Sequence, residues 1–458
     1  MILNIIKKTK SRLRKKREVG SDYDTIIHIG PSKTGSSAIQ HFLLTNRDRL
    51  NEHGYFYPKH SIGKNNISGG HSKLFSAIRN GDVELARKLI IKYKGQAAKT
   101  GSTLLLSCEA FVYYKNIFEQ LDDVLNINKT AIIAFFRDPI ERLLSSYNQA
   151  VKRHFQTLPL TSHCHEILGA NNGEYSGLIF EPWVEHFKAE HVYIYQYLPH
   201  SVERTRLEYL FLQNIGIPEE NHKGFICNEL PVNVGYSSSA LELKRLLNTV
   251  LRKDDDKLNK EIDCALQRYS EQSDELWPEL SDMVDKNLYG ELIEKFKTSN
   301  KYIKDNYIRG KTVGFLDTPH SNSSKKNTTP PSHREYSIKY AATQAFFGSS
   351  HLHEHIMDLI SEKLTATTTD YNTLRLAEVF GFEISSHVAI GSAISDQQLK
   401  RVISEKAHMP DCLRELSLIL EHSGKYEEAY QVISRALALR PEGPLIVSAH
   451  ERLTKRLT

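Results

Sequence analysis

The sequence has no long apolar run. Nowhere do about 18 apolar residues follow one another, the length a helix needs to cross a bilayer, so a membrane span is excluded. A secretory leader is not read either. Met1 to Ile6 is largely apolar and the chain then turns basic, whereas a secretory leader runs basic first and apolar second. Cysteines are few and scattered: Cys108, Cys164, Cys227, Cys264 and Cys412 are odd in number, and no two stand as CxxC. That argues against a disulfide framework and fits reduced thiols in a cytoplasm. A basic excess is missing from the body of the chain. The net charge is +5, but residues 1–20 hold eight Lys or Arg and one Glu, so that stretch carries +7 and the rest −2. A near-neutral body gives no footprint for nucleic acid.

What is present fits a folded protein. The 458 residues are 40% apolar and 25% charged, enough for a core and for two or three domains. The basic stretch 1–21 reads as a solvated leader. Its sharper reading is a peripheral patch for the inner face of an anionic membrane, with Ile2, Leu3, Ile5 and Ile6 as a weak anchor.

Four short β-branched or apolar segments are predicted strands: 24–29, 103–107, 130–136 and 191–195. Helical stretches separate them, one running from Ser36 to about Leu50. That alternation predicts βαβ units and a mostly parallel sheet. From about Ser237 to Tyr307 the pattern is helical and charged, with no strand. Residues 318–333 are polar and proline-bearing, and the linker is placed at 311–335. Beyond it, 336–458 reads as helical. Gly424, Tyr426, Ala429, Ala436 and Pro441 are spaced like the second half of a tetratricopeptide repeat, and Pro410 stands where an earlier repeat would end. An ordinary helical hairpin explains the same residues about as well. The expected fold class is α/β: a P-loop-like parallel sheet sandwiched by helices, followed by an all-helical C-terminal region.

The first strand runs into Gly30-Pro31-Ser32-Lys33-Thr34-Gly35-Ser36-Ser37 and then a helix. Such a loop turns backbone N–H groups and the positive end of a helix dipole toward an anion. Gly30 and Gly35 have the spacing of a Walker A loop, but the lysine comes before the second glycine, and Ser36 fills the usual lysine position. A nucleoside-triphosphate loop places its lysine after that glycine, followed by Ser or Thr for magnesium. The third strand ends in Phe136-Arg137-Asp138-Pro139-Ile140-Glu141-Arg142-Leu143-Leu144-Ser145-Ser146-Tyr147. Pro139 suits the first position of a helix. Arg137 at the strand end and Ser145 about two turns into the helix can converge on one phosphate, for which a rigid, always-charged guanidinium is suited.

Together these two motifs resemble the PAPS-dependent sulfotransferases, most closely bacterial enzymes that act on carbohydrates. The resemblance covers about residues 22–235 and places a sulfotransferase domain at 22–310. It implies that Lys33 contacts the bridging oxygen and the sulfonate, and that Thr34, Gly35, Ser36 and Ser37 bind the 5′-phosphate of PAPS. It further implies that Arg137 and Ser145 bind the 3′-phosphate, that PAP is the product and that no metal takes part. Sulfuryl transfer to a hydroxyl needs a base, and the family uses Glu or His. Glu109, delivered by the end of the second strand, is the first candidate. His71, which follows Gly69-Gly70 and opens a helix, is the second. Carbohydrate or glycolipid is the expected acceptor, and the C-terminal helices are expected to recruit a protein partner or the polymer.

Other features carry less. His163-Cys164-His165 has no distant partner pair for a tetrahedral metal site. Tyr147, Tyr175 and Trp183 read as half-buried packing aromatics. Two rival readings are a P-loop kinase or NTPase, and a non-catalytic protein whose helical repeats bind a partner.

Overall fold

Short runs of β-branched and aliphatic residues become strands here because both of their faces find cover. The computed structural model describes residues 19, 22–61, 70–170, 173–198, 206–227, 235–273, 275, 280–310, 331–346, 349–364, 370–382, 408–422 and 425–457. Six strands form one sheet: β1 (Thr25–His28), β2 (Tyr55–Phe56), β3 (Thr103–Ser107), β4 (Thr130–Phe136), β5 (Val192–Gln196) and β6 (Ile308–Arg309). Their order is β2-β3-β1-β4-β5-β6, and every pairing is parallel. β4 is buried along its whole length. Ile132, Ala134 and Phe136 enter the core on one face, and Ala131, Ile133 and Phe135 the core on the other. Burial on both faces is the pattern parallel sheets show.

The four predicted strands are all present. β2 and β6 were not expected, and β6 follows directly on the stretch to Tyr307 read as helical. Each has only two residues, too few to leave a period-two signal, and each lies at a sheet edge.

The described residues divide into two compact units that alternate along the chain. One takes 1–147, 164–234 and 289–326, and the other 148–163, 235–288 and 327–458. The sheet and both sheet-face cores belong to the first. In the second, the helices Ser238–Leu247 and Asp256–Gln272 pack on Pro331–Phe346. A single boundary near residue 310 therefore does not describe the chain: 235–288 helps to build the helical unit, because its apolar stripe (Leu241, Leu246, Ile262 and Leu266) is buried there.

Two expected boundaries also move. The leader placed at 1–21 falls mostly outside the described residues, but Val19 is buried and its amide donates to the Asn214 carbonyl at 2.8 Å, so Val19 belongs to the fold. The linker placed at 311–335 falls outside the described residues up to 330, and helix begins at Pro331, where a missing N–H costs nothing.

The last three helices are Met409–His422, Tyr426–Leu439 and Pro444–Leu457. They share a core of Ala429, Ile433, Ala436, Ile446, Ala449 and Leu453. Ala429 and Ala436 are wholly buried, as small residues at a close helix crossing would be. Gly424 lies outside the described residues. Pro410 sits in the first turn of Met409–His422, and the earlier repeat expected to end there lies outside the described residues. Among the described residues, no helix is long and apolar enough to cross a membrane.

Candidate active site

β1 is the central strand at which the chain reverses its direction of growth, first out to β2 and β3 and then across to β4. In open parallel sheets ligands bind at the strands' carboxyl ends beside such a switch point. Three residue groups meet there: the loop after β1, Glu109 after β3 and Arg137 after β4.

The loop has a defined backbone. Lys33 and Gly35 are left-handed, at φ 67 and 77, and Thr34 between them does not have a positive φ. Alternation of that kind turns successive N–H groups into one concavity. The helix Ser36–Thr45 begins directly beyond it, with Gly35 as its N-cap and no side chain capping its end. Gly30 is required by space. At φ 88, a Cβ there would run into the backbone of Glu109. Thr34 is buried, and its hydroxyl donates to the Pro31 carbonyl at 2.6 Å, so that proton shapes the loop. Lys33 and Ser37 are half-buried.

Two arginines hold the loop. Arg137 donates from Nη1 to the Lys33 carbonyl at 3.2 Å and pairs through Nε with Glu141 at 3.2 Å. Its guanidinium also lies 5.1 Å from the centre of the Tyr197 ring, an attractive cation–π placement. Arg142 is 1% exposed. It donates to the Ser32 carbonyl at 3.1 Å, to the Glu174 carbonyl at 2.6 Å and to the Tyr113 hydroxyl at 3.1 Å. Both arginines come from β4 and the helix Pro139–His154 that follows it. Ser145, the seventh residue of that helix, is half-buried.

Glu109 is half-buried and accepts a hydrogen bond from Ser36 Oγ at 2.9 Å. A carboxylate is thus held at the first turn of the loop's own helix. Cys108 beside it is buried, and its thiol is pushed up to about 12, chiefly by burial, so it offers no thiolate near neutral pH.

His71, the second base candidate, is placed away from solvent. It is 1% exposed. The Ser107 amide donates to Nδ1 at 3.1 Å, and Nε2 faces the Pro58 carbonyl at 3.2 Å, which calls for a proton on Nε2. Burial and the neighbouring His60 lower its pKa to about 3. With both ring nitrogens engaged, His71 is a neutral structural group that joins β3 to the segment after β2. His28 at the end of β1 is similarly buried, bonds Ser107 Oγ at 2.8 Å and is lowered to about 3 by burial.

The structure therefore joins Lys33, Thr34, Gly35, Ser36, Glu109 and Arg137 in one place. Arg142, Tyr113, Glu174 and Tyr197 had no role among the expectations from the sequence. Arg142 carried a usable signal, since a charged residue between Ile140 and Leu143 on a helix that packs against a sheet must find buried partners. Tyr147, Tyr175 and Trp183 are more buried than expected, at 2%, 7% and 0% exposed, and Trp183 spends its N–H on the Val112 carbonyl at 2.9 Å. Among the described residues, no group of three or more His, Cys, Asp or Glu is arranged to hold a metal ion.

The fold and these contacts define the chain as a parallel α/β protein with an arginine-braced loop at its switch point. No protein-family model, no curated protein and no solved structure matches the chain.

Proposed function

We propose that this protein moves a sulfuryl group from PAPS to a hydroxyl of a carbohydrate. The observation that carries the reading is the hydrogen bond from Arg137 to the Lys33 carbonyl, because it brings the two motifs that resemble the sulfotransferases to one point. A donor that carries a 5′-phosphosulfate and a 3′-phosphate on one ribose needs two neighbouring anion sites. The concave loop and the helix Ser36–Thr45 offer one, and Arg137 with Ser145 offers the other.

In this reading the loop N–H groups, the Ser36 amide and the Ser37 hydroxyl hold the 5′-phosphate, the Ser36 hydroxyl stays on Glu109, and Arg137 holds the 3′-phosphate. The acceptor oxygen attacks sulfur in line. Its bond to sulfur forms as the bond from sulfur to the bridging phosphate oxygen breaks, and PAP leaves. Lys33 stabilises the charge growing on that oxygen. The acceptor proton passes to Glu109, the candidate with a carboxylate at the site rather than a ring committed to backbone partners. Lys33 precedes Gly35, which disfavours the rival reading as an ATPase.

Isothermal titration with PAP, ADP and ATP tests the proposal. PAP should bind more tightly than ADP, because ADP lacks the 3′-phosphate. Arg137→Ala should weaken PAP by at least about tenfold, the value of a lost hydrogen bond to a charged group, and weaken ADP by less, since ADP loses only the brace on the loop. Preference for ATP over PAP would overturn the reading.

A further inference from the structure

We propose that Tyr113, flanked by Glu174, is a stacking platform for the ring of a neutral pyranose, placed beside the loop after β1. The proposal deepens the carbohydrate reading above and rests on it for the identity of the reaction, though the platform can be tested without the donor.

Tyr113 has an unusual combination of exposure and restraint. Phe111 and Val112 just before it are buried, whereas Tyr113 is 44% exposed. Its hydroxyl is nevertheless fixed from two sides: it receives a hydrogen bond from Arg142 Nη2 at 3.1 Å and donates one to Glu174 Oε1 at 3.0 Å. An exposed tyrosine normally loses side-chain freedom when a ligand covers it. This ring is already held, so covering it costs little additional entropy.

Position connects the ring to the loop. The guanidinium that reaches the Tyr113 hydroxyl also donates to the Ser32 carbonyl at 3.1 Å, so one planar group spans from the ring to the residue before Lys33. Glu109 lies four residues before Tyr113, with its backbone against Gly30. The Tyr113 ring is therefore tied through Arg142 to the loop after β1.

The chemistry selects the occupant. A pyranose has an apolar C–H face for an aromatic ring and a rim of hydroxyl donors for a carboxylate. The Glu174 side chain is 53% exposed and can accept from such a rim. A phenol or sterol acceptor would be expected in an enclosed apolar pocket, and an open ring edged by a carboxylate is a poor match for one. The same carboxylate disfavours an anionic sugar. Tyr197, which stacks with Arg137 on the other motif, is a separate aromatic and the better candidate for a nucleotide base.

The test uses the full chain and saturation-transfer NMR with the methyl glycosides of glucose, galactose, mannose and N-acetylglucosamine, each with and without PAP. At least one glycoside should bind, with transfer strongest on the hydrogens of one ring face. Tyr113→Ala should weaken it about fivefold, as loss of an aromatic contact implies, with PAP affinity changed by less than twofold. Tyr113→Phe keeps the ring and should retain binding, which separates the platform from a folding defect. Three results would overturn the proposal: no glycoside binds, Tyr113→Ala leaves binding unchanged, or Tyr113→Ala weakens PAP and so assigns the ring to the nucleotide. If PAP fails to bind the unaltered protein, the donor reading falls, and the glycoside titration without nucleotide still decides the platform.

Discussion

Arg137 and Arg142 stand five residues apart and divide one loop between them, the first at the Lys33 carbonyl and the second at the Ser32 carbonyl. Their surroundings set different tasks. Arg137 lies at the strand end with its side chain partly exposed, where a ligand can reach it. Arg142 is buried and spends its donors on the protein. Two buried histidines act at the same scale. His28 and His71 both have folded pKa values near 3, against about 6.5 in an unfolded chain. Both are neutral when folded, so below about pH 6.5 the unfolded chain binds protons that the folded chain does not. Stability is therefore complete above that pH and falls as pH drops toward 3, by roughly 1.4 kcal/mol per pH unit for each histidine. Urea midpoints measured from pH 7 to pH 4.5 should show this decline, and His28→Gln should make it shallower. An equally steep decline in His28→Gln would mean that other groups cause it.

At the scale of elements, the turn from β1 into the helix Ser36–Thr45 has little freedom. Gly30 is left-handed and faces the backbone of Glu109, which cannot swing aside as a side chain could. Gly30→Ala adds both a strained φ and a collision between the loop and the segment after β3. A loss of about 1–3 kcal/mol is expected from the strain alone, together with a marked loss of PAP affinity because the loop shifts against Glu109. Thermal melting and PAP titration on the same sample would check this, and an unchanged melt would show that the turn can relax. The glycine's role was partly visible in the sequence: a strand, a glycine and then a helix announce a tight turn. That the limiting neighbour is the backbone of Glu109, 79 residues on, was not visible, because it depends on β3 pairing beside β1.

At the scale of the molecule, the two units alternate along the chain, and the sheet with its site belongs to one of them. The last three helices have their own small core, in which Ala436 is wholly buried. Ala436→Leu forces extra methylenes into a close helix crossing and should cost about 1–3 kcal/mol. The effect should appear in hydrogen exchange of 409–457, while PAP affinity, assigned to residues of the first unit, stays within twofold. A large drop in PAP affinity would show that these helices support the donor site.

The sequence by itself determined the local elements and the order of the motifs. Runs such as Thr130–Phe136, short and rich in β-branched and aromatic residues, carry a strand signal, and Gly30, Gly35 and Pro139 mark turns and helix starts through their backbone limits. It also put Lys33, Glu109 and Arg137 each after a strand, which in a parallel sheet means one edge. Tertiary structure decided what local pattern cannot encode: the two-residue edge strands, the burial that neutralises His71, and the path of 235–288 into the helical unit. It also decided that Arg142 and Tyr113 meet at all. Those outcomes depend on which distant segments become neighbours, and burial and pairing across such distances set the protonation, exposure and partners of each group.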